Sequence, residues 1–238
     1  MTGTTTHAFD QPTSPMPSPI RHTVRPLATI LALLAITVAN AAAQSRSASG
    51  TSALAPRDEW QRVPDIIAAM GGVEGKRVAD VAAGQGYLTR WLSQHAGPNG
   101  RVFAVEIGDV ERQALRKLAQ DSFPNVVVVD GTPTDPRLPD TLDAAVVLNS
   151  YHEFASYRDM LAGIRRALRP GGLLVLVDND ASQSTESREW QASHHGLNPK
   201  LVVAELEEAG FEIVTRRDEF IVQPYAQWMI VARRPAAP

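Results

Sequence analysis

A chain of 238 residues with 44% hydrophobic and 21% charged residues is long enough for one large globular domain with an appendage. Its formal net charge of -3 lacks the basic excess that marks a phosphate-tracking surface, so no nucleic-acid partner is expected. With no cysteine there is no disulfide framework, no thiolate metal site and no cysteine nucleophile.

The first segment differs in composition from the rest. "MTGTTTHAFDQPTSPMPSP" is rich in Thr, Ser and Pro and has no apolar periodicity, so it is expected to be disordered. Arg21 and Arg25 then precede the apolar run "LATILALLAITV", and Ala41 and Ala43 stand where a signal peptidase reads small residues, before Gln44. The run is shorter than the roughly 20 apolar residues a membrane span needs. Residues 1–43 are therefore read as an extension plus secretory signal peptide, with Met16 as an alternative start, residues 44–56 as a linker and 57–238 as the domain. The expectation is a periplasmic protein with no stable membrane span after cleavage. An uncleaved anchor in the inner membrane is the alternative.

From Arg57 onward two periodicities alternate. "RDEWQRVPDIIAAMG" is an amphipathic helical stretch interrupted at Pro64, and "RVADVA", "RVFAVEI", "NVVVV", "LDAAVVLN" and "GLLVLVDN" are continuous apolar runs of the kind found in strands covered on both faces. Helical patterns separate most of them: "GYLTRWLSQHAG", "DVERQALRKLAQ" and "ASYRDMLAGIRRALRPGG", the last expected to stop at Pro170 and Gly171. A further helix, "NPKLVVAELEEAG", ends on a glycine. Strand and helix in repetition mean a parallel α/β sheet. "FEIVTRRDEFIV" and "YAQWMIVAR" are joined directly across Gln223 and Pro224, which requires an antiparallel pair. Trp228 and Phe211 are read as core.

In a doubly wound sheet the ligand lies beyond the carboxyl ends of the strands, where the strand order reverses. "DVAAGQGY" falls at the end of the first strand. Gly84 and Gly86 permit a tight turn and close backbone approach, and the next helix opens with its amides facing out. Glu106 closes the second strand, twenty residues beyond Gly86, where a carboxylate accepts from both hydroxyls of a ribose. Two cofactor classes fit so far, but the dinucleotide fingerprint wants a small residue where Thr89 stands.

Asp80, four residues before Gly84, resembles the acidic residue that opens the D/E-x-G-x-G-x-G signature of class I S-adenosylmethionine-dependent methyltransferases, with Ala82 replacing the first glycine. "RALRPGGLLVLVD" is similar to the late signature of that family, and the resemblance runs from about Trp60 to Arg233. "WQRVPDII", "GTPTDPRLP" and "LNSYHEF" resemble an exported bacterial subgroup of it. The resemblance implies a Rossmann-like, seven-stranded sheet, mostly parallel with an antiparallel C-terminal hairpin strand, and S-adenosyl-L-methionine as cofactor. It places Asp80, Gly84 and Gly86 at the methionine end, with Ala82, Tyr87 and Asn149 along the same cleft, Glu106 at the ribose, and Gly131 with Thr132 at the adenine. Many members carry an acidic residue where Thr132 stands; Asp130 and Asp135 are the alternatives here. Trp60 and Gln61 lie on the leading helix, either over the cofactor or in the core.

Methyl transfer to a hydroxyl or an ammonium needs a base, and imidazole is suited to that. In "NSYHEF", after the fourth strand, His152 is the expected base, with Glu153 or Tyr151 orienting it or the substrate; the other reading is a helix cap. Asn149 is not followed by Pro-Pro-Tyr, which disfavours planar amines as acceptors. Asp178 and Asn179 resemble the ligand pair of cation-dependent catechol-type O-methyltransferases, but the partner aspartate on strand four is missing, and no metal is expected. His194 and His195 are adjacent rather than at helical spacing, and are expected to edge the substrate pocket. The reading is a methyltransferase acting on a small-molecule substrate. A degenerate nucleoside-binding module of the envelope and a nicotinamide-dependent reductase are the alternatives.

Overall fold

The computed structural model describes residues 57–236, so the expected signal peptide, its cleavage site and the linker lie outside the described residues. Two short helices lead in, α1 (Arg57–Trp60) and α2 (Val63–Ala69). Pro64 does not interrupt one helix, as the sequence was expected to do; it opens the second, in the first turn where its missing N–H is harmless. The break lies at Arg62, whose backbone is left-handed at φ 54°.

The alternation then proceeds as β1 (Arg77–Val81), α3 (Tyr87–Ala96), β2 (Arg101–Glu106), α4 (Asp109–Asp121), β3 (Val126–Asp130) and β4 (Leu142–Leu148). A 3-10 turn (Tyr151–Glu153) leads to α5 (Tyr157–Ala167) and β5 (Leu168–Asn179). The chain ends with α6 (Arg188–Ser193), α7 (Pro199–Glu208), β6 (Glu212–Ile221) and β7 (Gln227–Arg233). The fifth helix stops at Ala167 rather than at Pro170, because Leu168 already pairs with Leu142 of the neighbouring strand. Helix α6, in the stretch after β5, has no counterpart in the sequence reading.

The seven strands form one sheet in the order β3-β2-β1-β4-β5-β7-β6, parallel except for β7, which runs antiparallel to both β5 and β6. Side chains alternate between two cores. Val78, Val102 and Val146 pack with α2 and α3 residues such as Ile66 and Leu92, whereas Ala79, Val81 and Val147 pack with Leu161 and Ile164 of α5 and Leu206 of α7. Covering both faces explains why the strands read as unbroken apolar runs. Trp228 and Phe211 are buried as expected, and Trp228 Nε1 donates to the Leu197 carbonyl at 2.8 Å. Among the described residues no helix is long and apolar enough to cross a membrane.

Candidate cofactor cleft and active site

Strand order reverses between β1 and β4, and two cavities open beyond their carboxyl ends. One, of about 410 Å³, is walled by Glu106 and Ile107 after β2, Thr132 after β3, and Ser150, Glu153 and Phe154 after β4. The other, of about 320 Å³, is walled by Arg57, Asp80, Gln85, Tyr87 and Asn149. They share Ala82, Gly84 and Ser150 and so form the two ends of one cleft.

The loop between β1 and α3 holds them together. Ala82 has φ 58°, Gly84 φ 54° and Gly86 φ 89°, three left-handed positions in five residues. Gly86 is the residue before the first turn of α3, and a methyl group there would meet Leu118 Cδ1 at 2.9 Å and Leu115 Cδ2 at 3.1 Å. At Gly84 a side chain would project into open space. Gly86 is thus favoured both by its left-handed backbone and by close packing against α4, and Gly84 by its backbone alone, with its Cα bare toward the cleft.

Glu106 Oε2 accepts the Gly84 N–H at 2.8 Å, and Oε1 accepts the Ile107 N–H at 2.7 Å. The carboxylate bridges the glycine loop to the end of β2 and still faces the larger cavity, where its remaining lone pairs can accept from a diol. Asp80 is buried, and its Oδ2 accepts the Thr89 hydroxyl at 2.6 Å. Burial pushes the Asp80 carboxyl up from 3.8 to about 6, against the Thr89 hydrogen bond and the nearby Arg57 charge, which pull it down. Thr89, read in the sequence only as a poor fit to a dinucleotide site, is this carboxyl's partner.

Asn149 has φ 57°, and its N–H donates to the Val177 carbonyl at 2.7 Å. Its Oδ1 is buried without a hydrogen-bond partner, and the residue is one of those that wall the smaller cavity. A buried orphan acceptor is unfavourable unless a ligand donor meets it. Asp80, the bare Gly84, Glu106 and that oxygen together fit a nucleoside bearing an ammonium group, as S-adenosylmethionine does.

At the adenine end the fit is looser. Thr132 lines the cavity, but its N–H goes to the Asp135 carbonyl at 2.8 Å and its hydroxyl accepts the Asp135 N–H at 2.9 Å, so both groups are used within the turn. Gly131 packs against Val105, whose Cγ1 lies 2.8 Å from where a β-carbon would stand. Neither alternative acid serves the cleft: Asp130 pairs with Arg116 at 2.6 Å, and Asp135 accepts the Arg137 N–H at 2.8 Å.

His152 is 4% exposed and does not wall either cavity. Its Nδ1 lies 2.8 Å from Asp178 Oδ1, its N–H donates to Asp178 Oδ2 at 2.8 Å, and its Nε2 lies 3.8 Å from Glu153 Oε1. Burial alone lowers the imidazole pKa; the Asp178 hydrogen bond and charge, with Glu153 adding, outweigh it and hold His152 above its ordinary value. Glu153 is the member of the pair that reaches the cavity. Tyr151 does not orient His152. Its hydroxyl donates to Glu205 Oε2 at 2.7 Å, while Arg188 Nε donates to Oε1 at 2.8 Å, and this buried cluster holds the 3-10 turn from behind.

Asp178, read against metal-ligand pairs, spends both oxygens on His152 and on the Asn179 N–H. Among the described residues no group of His, Asp or Glu is arranged to hold a metal ion. His194 stacks on Trp190 at 3.8 Å, and His195 meets the edge of the His152 ring at 5.7 Å; neither walls the cavities, contrary to the expectation for them. Gln61 is fully buried rather than covering the cleft: its Nε2 donates to Gln227 Oε1 at 3.0 Å, and Gln227 Nε2 donates to Asn179 Oδ1 at 3.2 Å. Trp60 packs edge-on against Tyr225 at 5.8 Å.

Residues 78–172, the stretch that builds this cleft, match the profile of a methyltransferase domain. The chain carries a class I S-adenosylmethionine-dependent methyltransferase domain. The methyltransferase domain is 28% identical over 150 residues to a ubiquinone/menaquinone biosynthesis C-methyltransferase of Stutzerimonas stutzeri, covering 60% of this chain and 56% of that protein. It is 29% identical over 133 residues to a protein-L-isoaspartate O-methyltransferase of Methanopyrus kandleri, covering 51% of this chain and 56% of that one. The chain thus spans just over half the length of these curated relatives. Its fold is that of a SAM-dependent methyltransferase from Aquifex aeolicus, with a TM-score of 0.64, 23% identity, and coverage of 74% of this chain and 92% of that one. S-adenosylmethionine is the cofactor of the family.

Proposed function

We propose that this protein transfers the methyl group of S-adenosylmethionine to a small-molecule acceptor by in-line displacement, and that it does so as an exported protein. The reading is carried by the continuity of the two cavities, in which the carboxylate expected at the ribose and the polar groups expected at the amino-acid end are walls of one cleft. The cofactor, when bound, supplies a methyl group on a sulfonium. Asp80 and Asn149 would hold its ammonium, and Glu106 its ribose hydroxyls. Displacement at that carbon needs no covalent intermediate, so the demand on the chain is positioning and exclusion of water.

The acceptor enters beside Ser150, Glu153 and Phe154. Its proton passes to Glu153, with His152 behind it held by Asp178. The two curated relatives are named for transfer to carbon and to oxygen, and neither acceptor is carried over.

Calorimetric titration of the purified protein with S-adenosylmethionine, S-adenosylhomocysteine and NAD tests the cofactor. Binding of the first two and not the third is expected; binding of NAD alone would overturn the reading in favour of a reductase. Transfer itself is tested with methyl-labelled cofactor and a panel of phenols, carboxylates and thiols. Glu153→Gln is expected to lower turnover by about 10² or more while leaving cofactor affinity within about twofold, and His152→Gln, which acts through Glu153, to lower it less. Tight cofactor binding with no transfer to any acceptor would support the binding-module reading instead.

A further inference from the structure

Arg57, the first residue of α1, is a wall of the smaller cavity that no sequence signature marks. Its guanidinium lies 3.9 Å from the centroid of the Tyr87 ring, and its Nε donates to Gln61 Oε1 at 2.9 Å. Stacking and one hydrogen bond orient the fork, while its two terminal nitrogens form no ion pair with any described residue. Asp80, the carboxyl across the same cavity, is committed to Thr89 at 2.6 Å. Gln61, the residue after α1, is itself held by Gln227, and Trp60, its last residue, by the edge contact with Tyr225, so the end of α1 is fastened to the β6–β7 hairpin.

A half-buried guanidinium that forms no ion pair with any described residue, in the wall of a cavity it shares with a buried carboxyl and with Asn149, whose amide oxygen has no partner, is the complement of a zwitterion. The planar fork suits a carboxylate, and Asp80 with Asn149 Oδ1 suits an ammonium. We propose that Arg57 is the carboxylate-recognising residue of the cleft, which makes the leading helix part of the ligand site and selects nucleosides that keep an intact α-amino-acid end. This rests on the S-adenosylmethionine reading of the cleft. Tyr87 and Gln61 act as positioning residues, since they aim the guanidinium without touching the ligand's carboxylate.

The test is calorimetry on the full chain with S-adenosylhomocysteine and with 5′-methylthioadenosine, which shares the adenosine and the thioether but has no amino-acid end. Arg57→Gln is expected to weaken S-adenosylhomocysteine by about tenfold or more, the loss of a charge-assisted hydrogen bond, and to leave 5′-methylthioadenosine unchanged. Arg57→Lys is expected to recover part of the loss, because the charge returns without the fork. An equal loss for both ligands would make Arg57 a structural residue, and no loss for either would remove it from the site; each outcome overturns the proposal and leaves the cofactor reading standing. If the wild-type chain binds neither ligand, the cofactor reading falls, and the role of Arg57 with it.

Discussion

Asp178 Oδ1 lies 2.8 Å from His152 Nδ1, and both side chains are buried, at 0% and 4% exposure. An aspartate so placed keeps the proton on Nδ1 and leaves Nε2 as the accepting nitrogen. It also raises the pKa of His152 in the folded chain against the opposing effect of burial. A raised histidine adds stability that is fully present below the unfolded value of 6.5 and is lost as pH rises through the folded value. Urea unfolding at about pH 5.5 and pH 8.5 is therefore expected to show a larger loss of stability across that interval in the wild type than in Asp178→Asn. Equal losses would mean that the pair carries no charge. In a transfer assay the same substitution should move the rising limb of the pH–rate profile to lower pH.

Asp80 is charged at neutral pH in a site that favours its neutral form, with its carboxyl raised from 3.8 to about 6. For a raised carboxyl the sign is a cost: stability contributed below pH 3.8 is lost as pH rises through about 6. Asp80→Asn keeps an acceptor for Thr89 and removes the charge. It is expected to stabilise the ligand-free protein at pH 7 by up to about 3 kcal/mol, while weakening S-adenosylmethionine. Thermal unfolding with and without ligand checks both; a variant that is less stable and binds normally would contradict them.

Glu106 serves the glycine loop and the cleft at once, so truncation to Ala would confound the two. Glu106→Gln keeps an oxygen acceptor for one of the Gly84 and Ile107 amides and loses the other, a smaller disturbance than Ala, and is expected to preserve the fold, judged by circular dichroism. Cofactor affinity should fall by about 1 to 3 kcal/mol, the cost of offering a diol a neutral partner. Unchanged affinity in calorimetry would show that the ribose lies elsewhere.

Gly86→Ala places a methyl group 2.9 Å from Leu118 Cδ1 at a left-handed φ of 89°. Destabilisation of about 1 to 3 kcal/mol is expected in chemical denaturation. Gly84→Ala, with open space around its β-carbon, carries only the conformational part of that cost and should lose less stability than Gly86→Ala.

Export is the reading proposed for the residues before the domain. In a bacterial host, tagged full-length protein is expected outside the inner membrane, with an amino terminus at or near Gln44 by N-terminal sequencing. Recovery from the cytoplasm with Leu27 to Val38 still attached would refute it.

The alternation of strand and helix, the glycine turn and the carboxylate ending β2 were legible in the sequence. These features are local: apolar runs report strands covered on both faces, and the left-handed backbone at Gly84 and Gly86 favours glycine. Helix ends were less legible, since Leu168 leaves α5 for a pairing with Leu142 that no local preference encodes. The polar partnerships were decided by tertiary structure alone. Asp178 reaches His152 because β4 and β5 are neighbours in the sheet, so their carboxyl ends fall side by side. Arg57 meets Tyr87 because α1 returns over the opening of α3, and Thr89 meets Asp80 because one turn of that helix faces back onto β1. Side-chain periodicity records which face a residue occupies, but the choice of partner on that face depends on strand order and helix placement, which arise only when the whole sheet is assembled.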